Sequence, residues 1–355
     1  MARFTPTLLA LGIGTSAAGA ADLDVSVGEP FTISASRDYH WFPTLKQISS
    51  ERLLAAIWCS YDEINPETAR TAFCATDDGG ATWSAPVPEA DAGHSWARLA
   101  DGSCLWLSYM TLRISDTVAS CRVGRSIDGL DYHWSTGAVD FSPMRVPHLT
   151  KGAARMLFAR SILTMPDGSL VATMYGRFVD DVRDRSIVVR STDGGSRWHY
   201  LSTIGYLADI GGEGLNEPCI AATSSGDLVA IMRNESGEPL WTARSSDAGK
   251  SWSDPQPIPT ARGVFPDIIR MSSGLLACSF GRPGCKLMFS SDDGASWSDP
   301  VAVFDGPSTY YTAIREVEPG KLLYIHDVIP GGWKNELPEG QQNEIRGVHI
   351  TVAAP

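Results

Sequence analysis

Short apolar runs recur along the chain, and each of them follows a turn. The runs are rich in Leu, Val, Ile and aromatic side chains, and six copies lie at 51–58, 101–109, 167–175, 225–233, 273–280 and 319–326. Apolar runs of this length, bounded by turn residues, predict β-strands. Each run follows another strand-like segment through a tight turn, so each pair predicts a hairpin. The pattern therefore predicts an all-β protein built from six repeated hairpins.

A second repeat, Ser/Thr-x-Asp-x-Gly-x-x-Trp, alternates with these runs. Full copies begin at Thr76, Ser191, Ser245 and Ser290, and a degenerate copy, with Leu130 at the glycine position, begins at Ser126. In such a turn the Asp accepts hydrogen bonds from backbone N–H groups, and the Gly adopts a positive φ. The Trp buries its ring against a neighbouring sheet. We interpret the repeat as structural, and assign it neither catalysis nor calcium binding.

Composition and charge narrow the classes of partner. The chain has 355 residues, is 43% hydrophobic, and has a formal net charge of -12. A chain of this length buries a large core. An acidic surface repels phosphate backbones and anionic lipids, so we expect neither nucleic acid nor a membrane surface as a partner. An anionic ligand would need a local cluster of arginines.

The N-terminal segment has the features of a secretory signal peptide. Arg3 provides positive charge, residues 8–13 form a short apolar core, and residues 18–20 are small. No later stretch approaches the ~20 apolar residues of a membrane helix. We therefore predict a signal peptide over residues 1–20, a single domain over residues 21–355, and a secreted, extracellular protein.

Seven cysteines are compatible with a secreted protein that has a few disulfides. Cys278 and Cys285 flank a short turn, and Cys104 and Cys121 are spaced more widely. Either pair could link neighbouring strands. Buried unpaired thiols are the alternative for each pair.

The Ser/Thr-x-Asp-x-Gly-x-x-Trp turn is the Asp-box motif. Interleaved with the hairpins, it makes the sequence resemble the sialidase superfamily across nearly the whole mature chain. The resemblance implies a six-bladed β-propeller with four strands in each blade. Strands near 31–36 and 345–352 would complete one blade together. We expect no cofactor, no metal ion and a monomeric state.

In a propeller, the start of each inner strand and the end of the next strand lie on one face. The Asp-box turns lie on the opposite face. The residues that this geometry brings to one rim are Trp41, Asp62, His94, Tyr109, Arg160, Arg177, Glu217, Arg233, Asp267, Arg282, Tyr310, Tyr311 and Asp327. Arginine binds a carboxylate bidentately, so this set predicts a site for an acidic sugar.

The resemblance also implies roles for particular residues. Tyr311 would be the nucleophile, and Glu217 would remove its proton, because a neutral tyrosine with a pKa near ~10 is a weak nucleophile. Asp62 matches the acid/base aspartate by its placement. Arg233 and Arg282 match two of the three arginines that hold the sugar carboxylate. The expected partner is an acidic oligosaccharide or polysaccharide.

One position departs from the family pattern. The family's first arginine lies in an Arg-Ile-Pro motif, and the corresponding segment here is Trp41-Phe42-Pro43. Arg37 lies four residues away, at a different depth along the strand. One third of the carboxylate clamp is therefore missing, and Trp41 would shape the pocket for a sugar other than the common sialic acid.

Three other functions fit parts of the pattern. A polysaccharide lyase resembling the fungal rhamnose–glucuronate lyases would use Tyr311 or His94 as the base. It would use Arg160, Arg233 or Arg282 to neutralise a uronate. An arabinan-degrading hydrolase would need a second rim carboxylate beside Glu217, but residues 140–200 contain no glutamate. A lectin-like propeller would keep the fold without the chemistry.

Overall fold

The computed structural model describes residues 23–63, 67–89, 93–147 and 153–353. These ranges form 26 β-strands and include a 3-10 helix over Gly332–Lys334. The signal peptide predicted for residues 1–20 lies outside them. Among the described residues, no helix is long and apolar enough to cross a membrane. The predicted all-β class is confirmed.

Three sheets have four antiparallel strands each, in sequence order. The first contains β3 (Trp41–Gln47), β4 (Leu53–Trp58), β5 (Thr71–Thr76) and β6 (Val87–Glu89). The second contains β16 (Asn216–Ala222), β17 (Leu228–Arg233), β18 (Pro239–Ser245) and β19 (Gln256–Arg262). The third contains β20 (Val264–Arg270), β21 (Leu276–Gly281), β22 (Cys285–Ser290) and β23 (Val301–Phe304).

A fourth sheet joins the two ends of the described chain. It contains β1 (Val25–Val27), β2 (Phe31–Ser36), β24 (Thr312–Glu318), β25 (Lys321–Val328) and β26 (Asn343–Val352). Both β1 and β2 pair with β26, and Phe31 lies opposite Gly347. The pairing of the two terminal segments agrees with the sequence prediction.

The fifth sheet has nine strands. They are β7 (Trp96–Arg98), β8 (Cys104–Leu107), β9 (Met110–Arg113), β10 (Val118–Ser126), β11 (His133–Asp140), β12 (Ala153–Thr164), β13 (Leu170–Gly176), β14 (Arg185–Ser191) and β15 (Arg197–Gly205). Strand β9 pairs with both β10 and β12, and parallel pairings join β7 to β12 and β11 to β15. Two repeat units thus form one closed sheet. The strands form five sheets, and not the six separate sheets that six blades would give.

The first strands of the repeat units pack around a common axis. Strands β3, β7, β12, β16, β20 and β24 contact one another in that order, and β24 contacts β3. All six predicted apolar runs contain the strand that follows: β4, β8, β13, β17, β21 and β25. Apolar residues fill the spaces between neighbouring sheets, as Leu45, Leu53 and Ile345 do between β3–β4 and β26. Each fully buried aliphatic side chain contributes roughly 1.5–3 kcal/mol.

The Asp-box turns have the structure that the motif predicts. In the first copy Asp78 accepts hydrogen bonds from the Thr76 hydroxyl (2.7 Å) and from the Thr82 amide (2.8 Å). The hydrogen bonds from Thr82 lower the pKa of Asp78 to about 2. Gly80 has a φ of 96°, and a Cβ there would lie 2.9 Å from a methyl carbon of Leu323. These turns follow the third strand of a unit and lie at the end of the ring opposite to the starts of the inner strands.

All seven cysteines are free thiols, so the second of the two alternatives holds for both candidate pairs. Strand register explains why neither pair is bonded. Cys104 lies opposite Ser126 and not opposite Cys121. Cys278 lies opposite Met288, whereas Cys285 pairs with Gly281. The cysteines of each pair therefore do not face one another across the sheet, and six of the seven are buried in the core.

Candidate active site

A tyrosine, a glutamate and an arginine meet where the inner strands begin. Tyr311, just before β24, donates a short hydrogen bond from its hydroxyl to Oε1 of Glu217. Arg233, the last residue of β17, donates from Nη1 to the same oxygen at 2.8 Å. The backbone amide of Phe265 donates to Oε2 of Glu217 at 2.8 Å. Both carboxylate oxygens of this buried glutamate therefore have fixed partners.

The backbone at Glu217 explains why its side chain reaches the axis. Glu217 has a positive φ of 47°. Two residues at equivalent places in other inner strands, Phe42 and Phe265, have φ values of 48° and 46°, and a proline follows each of the three. The strand register shifts at all three positions, as it does at a β-bulge. A left-handed non-glycine residue costs of order 1–3 kcal/mol, and such strain is concentrated at functional sites. We name these three residues the corner residues.

The corner residues surround the Tyr311 ring on several sides. The ring stacks on Phe265 with centroids 4.2 Å apart and planes 10° apart, and the Phe42 centroid lies 4.7 Å away. Burial raises the pKa of the Tyr311 phenol well above its usual value, and the charge of Glu217 raises it further. Arg233 opposes this rise. The phenol therefore keeps its proton in the free protein, and Glu217 is placed to accept that proton.

The two candidate clamp arginines lie on either side of this pair. Arg233 also contacts Glu213 at 2.9 Å, through Nη2. Burial lowers the pKa of Arg233, but the charges of Glu217, Tyr311 and Glu213 outweigh burial and raise it overall. Arg282 donates to the Ser236 hydroxyl at 3.0 Å, and its guanidinium carbon is 5.8 Å from the Tyr311 ring centroid. Arg233 thus shares a Glu217 oxygen with the Tyr311 hydroxyl, and Arg282 lies beside the Tyr311 ring.

Asp62 lies at the mouth of the site, in the loop after β4. Its surface is exposed, but the surrounding protein partly desolvates the carboxyl and raises its pKa. The charge of Arg282 opposes this rise, and the charge of Glu217 adds to it. Asp62 is thus within electrostatic reach of Glu217 and of both candidate clamp arginines.

Aromatic side chains occupy the place of the missing arginine. Trp41 is 1% exposed and donates from its indole nitrogen to the Ser60 carbonyl at 3.0 Å. It packs against Phe42 and against Trp333, with ring centroids 4.9 and 5.3 Å away. Trp333 is 42% exposed, so it, and not Trp41, presents an aromatic surface to solvent. The sequence did not predict Trp333, because it lies in the short 3-10 helix between β25 and β26, away from the strand ends that the repeat locates.

His94 and Tyr109 lie beside the corner residue Phe265. The His94 ring is edge-on to Phe265 with centroids 4.7 Å apart, and it is 5.1 Å from the Tyr109 ring. Burial lowers the pKa of His94 well below its usual value, and the charges of Lys46 and Arg160 lower it further. The imidazole is therefore neutral at neutral pH.

The sequence predicted Arg160 at the rim, but its side chain lies beneath the Phe265 ring. Its guanidinium carbon lies 3.9 Å from the Phe265 centroid, on the ring face opposite to Tyr311, because two groups cannot occupy the same face at that distance. It ion-pairs with Asp267 at 3.5 Å, and both side chains are buried. The Phe265 ring therefore separates Arg160 from Tyr311. Asp267, the ion-pair partner of Arg160, also lies beneath that ring.

Three other predicted rim residues have partners that account for their positions. Arg177 pairs with Asp184 at 2.8 Å and donates to the Glu213 carbonyl at 3.4 Å. Tyr310 packs against a core cluster that includes Cys285 and Phe289. Asp327 is buried and accepts hydrogen bonds from the Phe42 amide at 3.0 Å and from the Thr309 amide at 2.7 Å. Asp327 thus fixes the backbone on both sides of the Tyr311 ring.

The described residues contain no group of three or more His, Cys, Asp or Glu that could hold a metal ion. The side chains that meet at the site are a phenol, a carboxylate in contact with it, a second carboxylate nearby and two arginines. Together these groups can activate an oxygen nucleophile and bind an anionic group beside it.

Residues 105–262 match the family model of a BNR repeat-like domain. No curated protein matches the chain. Among solved structures, a protein of unknown function from Dyadobacter fermentans is 18% identical with a TM-score of 0.70, covering 93% of this chain and 99% of that one. The chain shares its overall fold with that structure.

Two enzymes are among the similar structures. The Hadza microbial sialidase Hz136 is 17% identical with a TM-score of 0.62, covering 89% of this chain and 65% of that one. An α-L-arabinofuranosidase from Fusarium graminearum is 13% identical with a TM-score of 0.66, covering 92% of this chain and 98% of that one. At these identities the similarity to the two enzymes describes the fold, and function has to be argued from the site.

Proposed function

We propose that this protein is a retaining exo-glycosidase that removes a terminal acidic sugar from a glycan. The hydrogen bond from the Tyr311 hydroxyl to Glu217 carries the proposal. It joins a nucleophilic oxygen to a carboxylate that can accept its proton, and Arg233 and Arg282 lie next to this pair. A tyrosine nucleophile is an established exception among retaining glycosidases.

In the first step the Tyr311 oxygen bonds to the anomeric carbon while the glycosidic bond breaks. The phenol proton passes to Glu217, and Asp62 gives its proton to the departing oxygen. In the second step Asp62 accepts a proton from water, and the water oxygen replaces Tyr311 at the anomeric carbon. Glu217 then returns the proton to Tyr311. Each group ends in its starting state, as microscopic reversibility requires.

The two arginines favour an anionic sugar at this position. A carboxylate bound between Arg233 and Arg282 would lie next to the Tyr311 hydroxyl, where both guanidinium groups retain their charge. Trp333, which packs on the buried Trp41, supplies an apolar surface near the place where a third arginine would bind the carboxylate. We infer a substrate with one carboxylate and an apolar face, other than the common sialic acid.

A polysaccharide lyase is the second candidate, and the neutral His94 favours it. A neutral imidazole near Tyr109 could remove the C5 proton of a uronate. Arg160, however, lies beneath Phe265 and cannot reach a carboxylate in the pocket. The lyase then depends on Arg233 and Arg282 alone for neutralisation, which ranks it below hydrolysis.

An arabinan hydrolase would need a glutamate from the preceding repeat unit as the partner of Glu217. The inner strand β12 brings Arg160 toward the axis, and the segment from 140 to 200 contains no glutamate. The similarity to the arabinofuranosidase is therefore one of fold. The Tyr311–Glu217 pair favours a different reaction.

We also propose a six-bladed propeller in which the nine-stranded sheet represents two blades. The closed order of contacts among β3, β7, β12, β16, β20 and β24 supports this count. Secretion through the signal peptide at residues 1–20 and a monomeric state remain proposals from the sequence. Expression with residues 1–20 intact, followed by N-terminal sequencing of secreted protein, tests the first.

The reaction class is tested by incubating the protein with sialosides, other ulosonic-acid glycosides and rhamnose-capped glucuronate gums. Hydrolysis releases reducing sugar without a change in absorbance near 235 nm. A rise at that wavelength reports a C4–C5 unsaturated uronate and supports the lyase instead. Binding of these glycans with no product of either kind would support a lectin-like propeller and overturn the enzyme.

A further inference from the structure

A cavity opens at the end of the ring of inner strands that is opposite to Tyr311. It has a volume of about 500 Å³, and the final residues of the inner strands line it. Four arginines are among these residues: Arg98, Arg160, Arg270 and Arg315. Asp267 is the one carboxylate among the described residues that line it. None of these five residues contacts the Tyr311 hydroxyl.

The charge of this cavity opposes that of the whole chain. Four arginines against one aspartate leave a formal charge of +3 at the cavity, whereas the chain has a net charge of -12. A cleft of one sign with low-dielectric walls concentrates counter-ions of the other sign. The local field therefore favours an anion at a place where the rest of the surface repels one.

The buried part of the cavity carries uncompensated positive charge. Arg160 at 3.5 Å and Arg315 at 2.8 Å share a single oxygen of Asp267. The Arg160 side chain is 4% exposed, and its Nε has no hydrogen-bond partner. One carboxylate neutralises only one of the two guanidinium groups, and the other partners of Arg160 are the neutral carbonyl oxygens of Phe265 and Thr312.

Lys46 is a further basic group in the interior of the ring. Its side chain is buried, and its ammonium group donates a short hydrogen bond to the His94 carbonyl between the two ends of the ring. Burial lowers the pKa of Lys46 well below its usual value, and the charges of Arg315 and Arg160 lower it further. Burial and the neighbouring arginines therefore both disfavour the charged form of Lys46.

We propose that this cavity binds a small oxyanion of the phosphate or sulfate type. Arg315 is 24% exposed and lies between the buried Arg160–Asp267 pair and the solvent. It can therefore keep its contact with Asp267 and turn a second N–H toward an anion. Arg98 and Arg270 end β7 and β20 at the rim and are exposed, so they can complete the site. Arginine forks match tetrahedral oxyanions better than spherical ions. The site is independent of the proposed glycosidase activity.

Isothermal titration of the whole protein with inorganic phosphate and with inorganic sulfate, at constant ionic strength, tests the site. We expect saturable binding near one anion per chain. The double variant Arg98→Gln/Arg270→Gln changes exposed residues only, and we expect binding roughly 10- to 100-fold weaker, the loss for charge-assisted hydrogen bonds. Arg315→Gln should weaken binding similarly, and the double variant keeps the test valid if Arg315→Gln does not fold.

Arg262→Gln is the matched control, because Arg262 is an exposed arginine on β19 that pairs with Glu238 and does not line the cavity. It should bind the anions like the original protein. No saturable binding of either oxyanion, equal binding by the double variant, or equal weakening in the control would each overturn the proposal. Saturable binding of chloride alone would also overturn it, since the site is built for a forked contact.

Discussion

Tyr311 has a nucleophilic oxygen in surroundings that hold its proton. The ring is fixed by Phe265 and Phe42, and burial raises the pKa of the phenol well above its usual value. Ionising this phenol in advance would place a second negative charge beside Glu217. The proton therefore has to move as the bond to the sugar forms, and Glu217 is the group in contact with it.

Tyr311→Phe should lower kcat/KM by roughly a thousandfold or more, because the nucleophile is removed. The phenylalanine ring keeps the stack on Phe265, so we expect an unchanged melting temperature within a few degrees. Tyr310→Phe is the matched control, because Tyr310 is the adjacent tyrosine and packs against the core. Steady-state kinetics of the two variants decide the matter, and equal activities would contradict the assignment.

Asp62 is expected to act as an acid, so activity requires its protonated form. Partial desolvation raises the pKa of Asp62, and activity should therefore persist to a higher pH than for an ordinary aspartate, then fall as the pH rises through that pKa. In Asp62→Asn this alkaline decline of kcat/KM should disappear, with a loss of roughly 10²- to 10⁴-fold on natural glycans.

Aryl glycosides with acidic leaving groups need no proton in the first step, so they should restore the rate of that step in Asp62→Asn. Glu63→Gln, a change at the neighbouring exposed carboxylate, serves as the control and should keep the original pH profile. A loss of equal size on aryl and natural substrates would show that Asp62 is not the acid.

The corner residues are the elements that bring the site together. Strand hairpins and Asp-box turns were predictable from sequence because both depend on local spacing and turn chemistry. The bulged conformation at Phe42, Glu217 and Phe265 was not predicted, because a register shift depends on the partner strand. The proline after each corner is the sequence signal that could have found them.

Phe265→Leu should lower kcat roughly two- to tenfold with a smaller effect on KM. The leucine loses the ring stack with Tyr311, an interaction of about 0.5–1.5 kcal/mol, and leaves the nucleophile less well oriented. Phe289→Leu removes another buried phenylalanine, from the core. It should lower the melting temperature comparably without changing kcat. The same loss of kcat in both variants would point to general destabilisation.

The Asp-box turns should make stability depend on pH in acid. Hydrogen bonds lower the pKa of Asp78 and of Asp247 to about 2, below the ~3.9 of an unfolded aspartate. Their contribution to the free energy of unfolding is therefore complete above the pKa of the unfolded state. It is lost as the pH falls toward the pKa of the folded state. Asp78→Asn should lower the melting temperature at pH 6 and flatten its decline between pH 4 and pH 2.

Asp254→Asn, a change at an exposed aspartate outside the Asp-box motif, is the matched control for Asp78→Asn. It should keep both the melting temperature at pH 6 and the acid decline. An identical acid decline in Asp78→Asn and in the unsubstituted protein would show that this turn does not contribute to the pH dependence.

At the scale of the molecule, the repeats predicted the all-β class but not the number of sheets. Strand β9 follows a short β8 and pairs with two units at once, a contact between distant segments that no local pattern encodes. The free cysteines have a similar origin, because strand register, and not spacing along the chain, decides which thiols face each other. Placement of Arg160 also depended on side-chain depth, which strand position alone does not give.

The most direct test of the central claim is to trap the sugar on Tyr311. Asp62→Ala lacks the base of the second step, so an aryl glycoside of the hydrolysed sugar should leave the glycosyl-enzyme intermediate in place after acid quenching. Intact-protein mass spectrometry should show one added sugar, and peptide mapping should locate it on Tyr311. A sugar attached to another residue, or complete turnover with no adduct on Tyr311 at any time, would contradict the account.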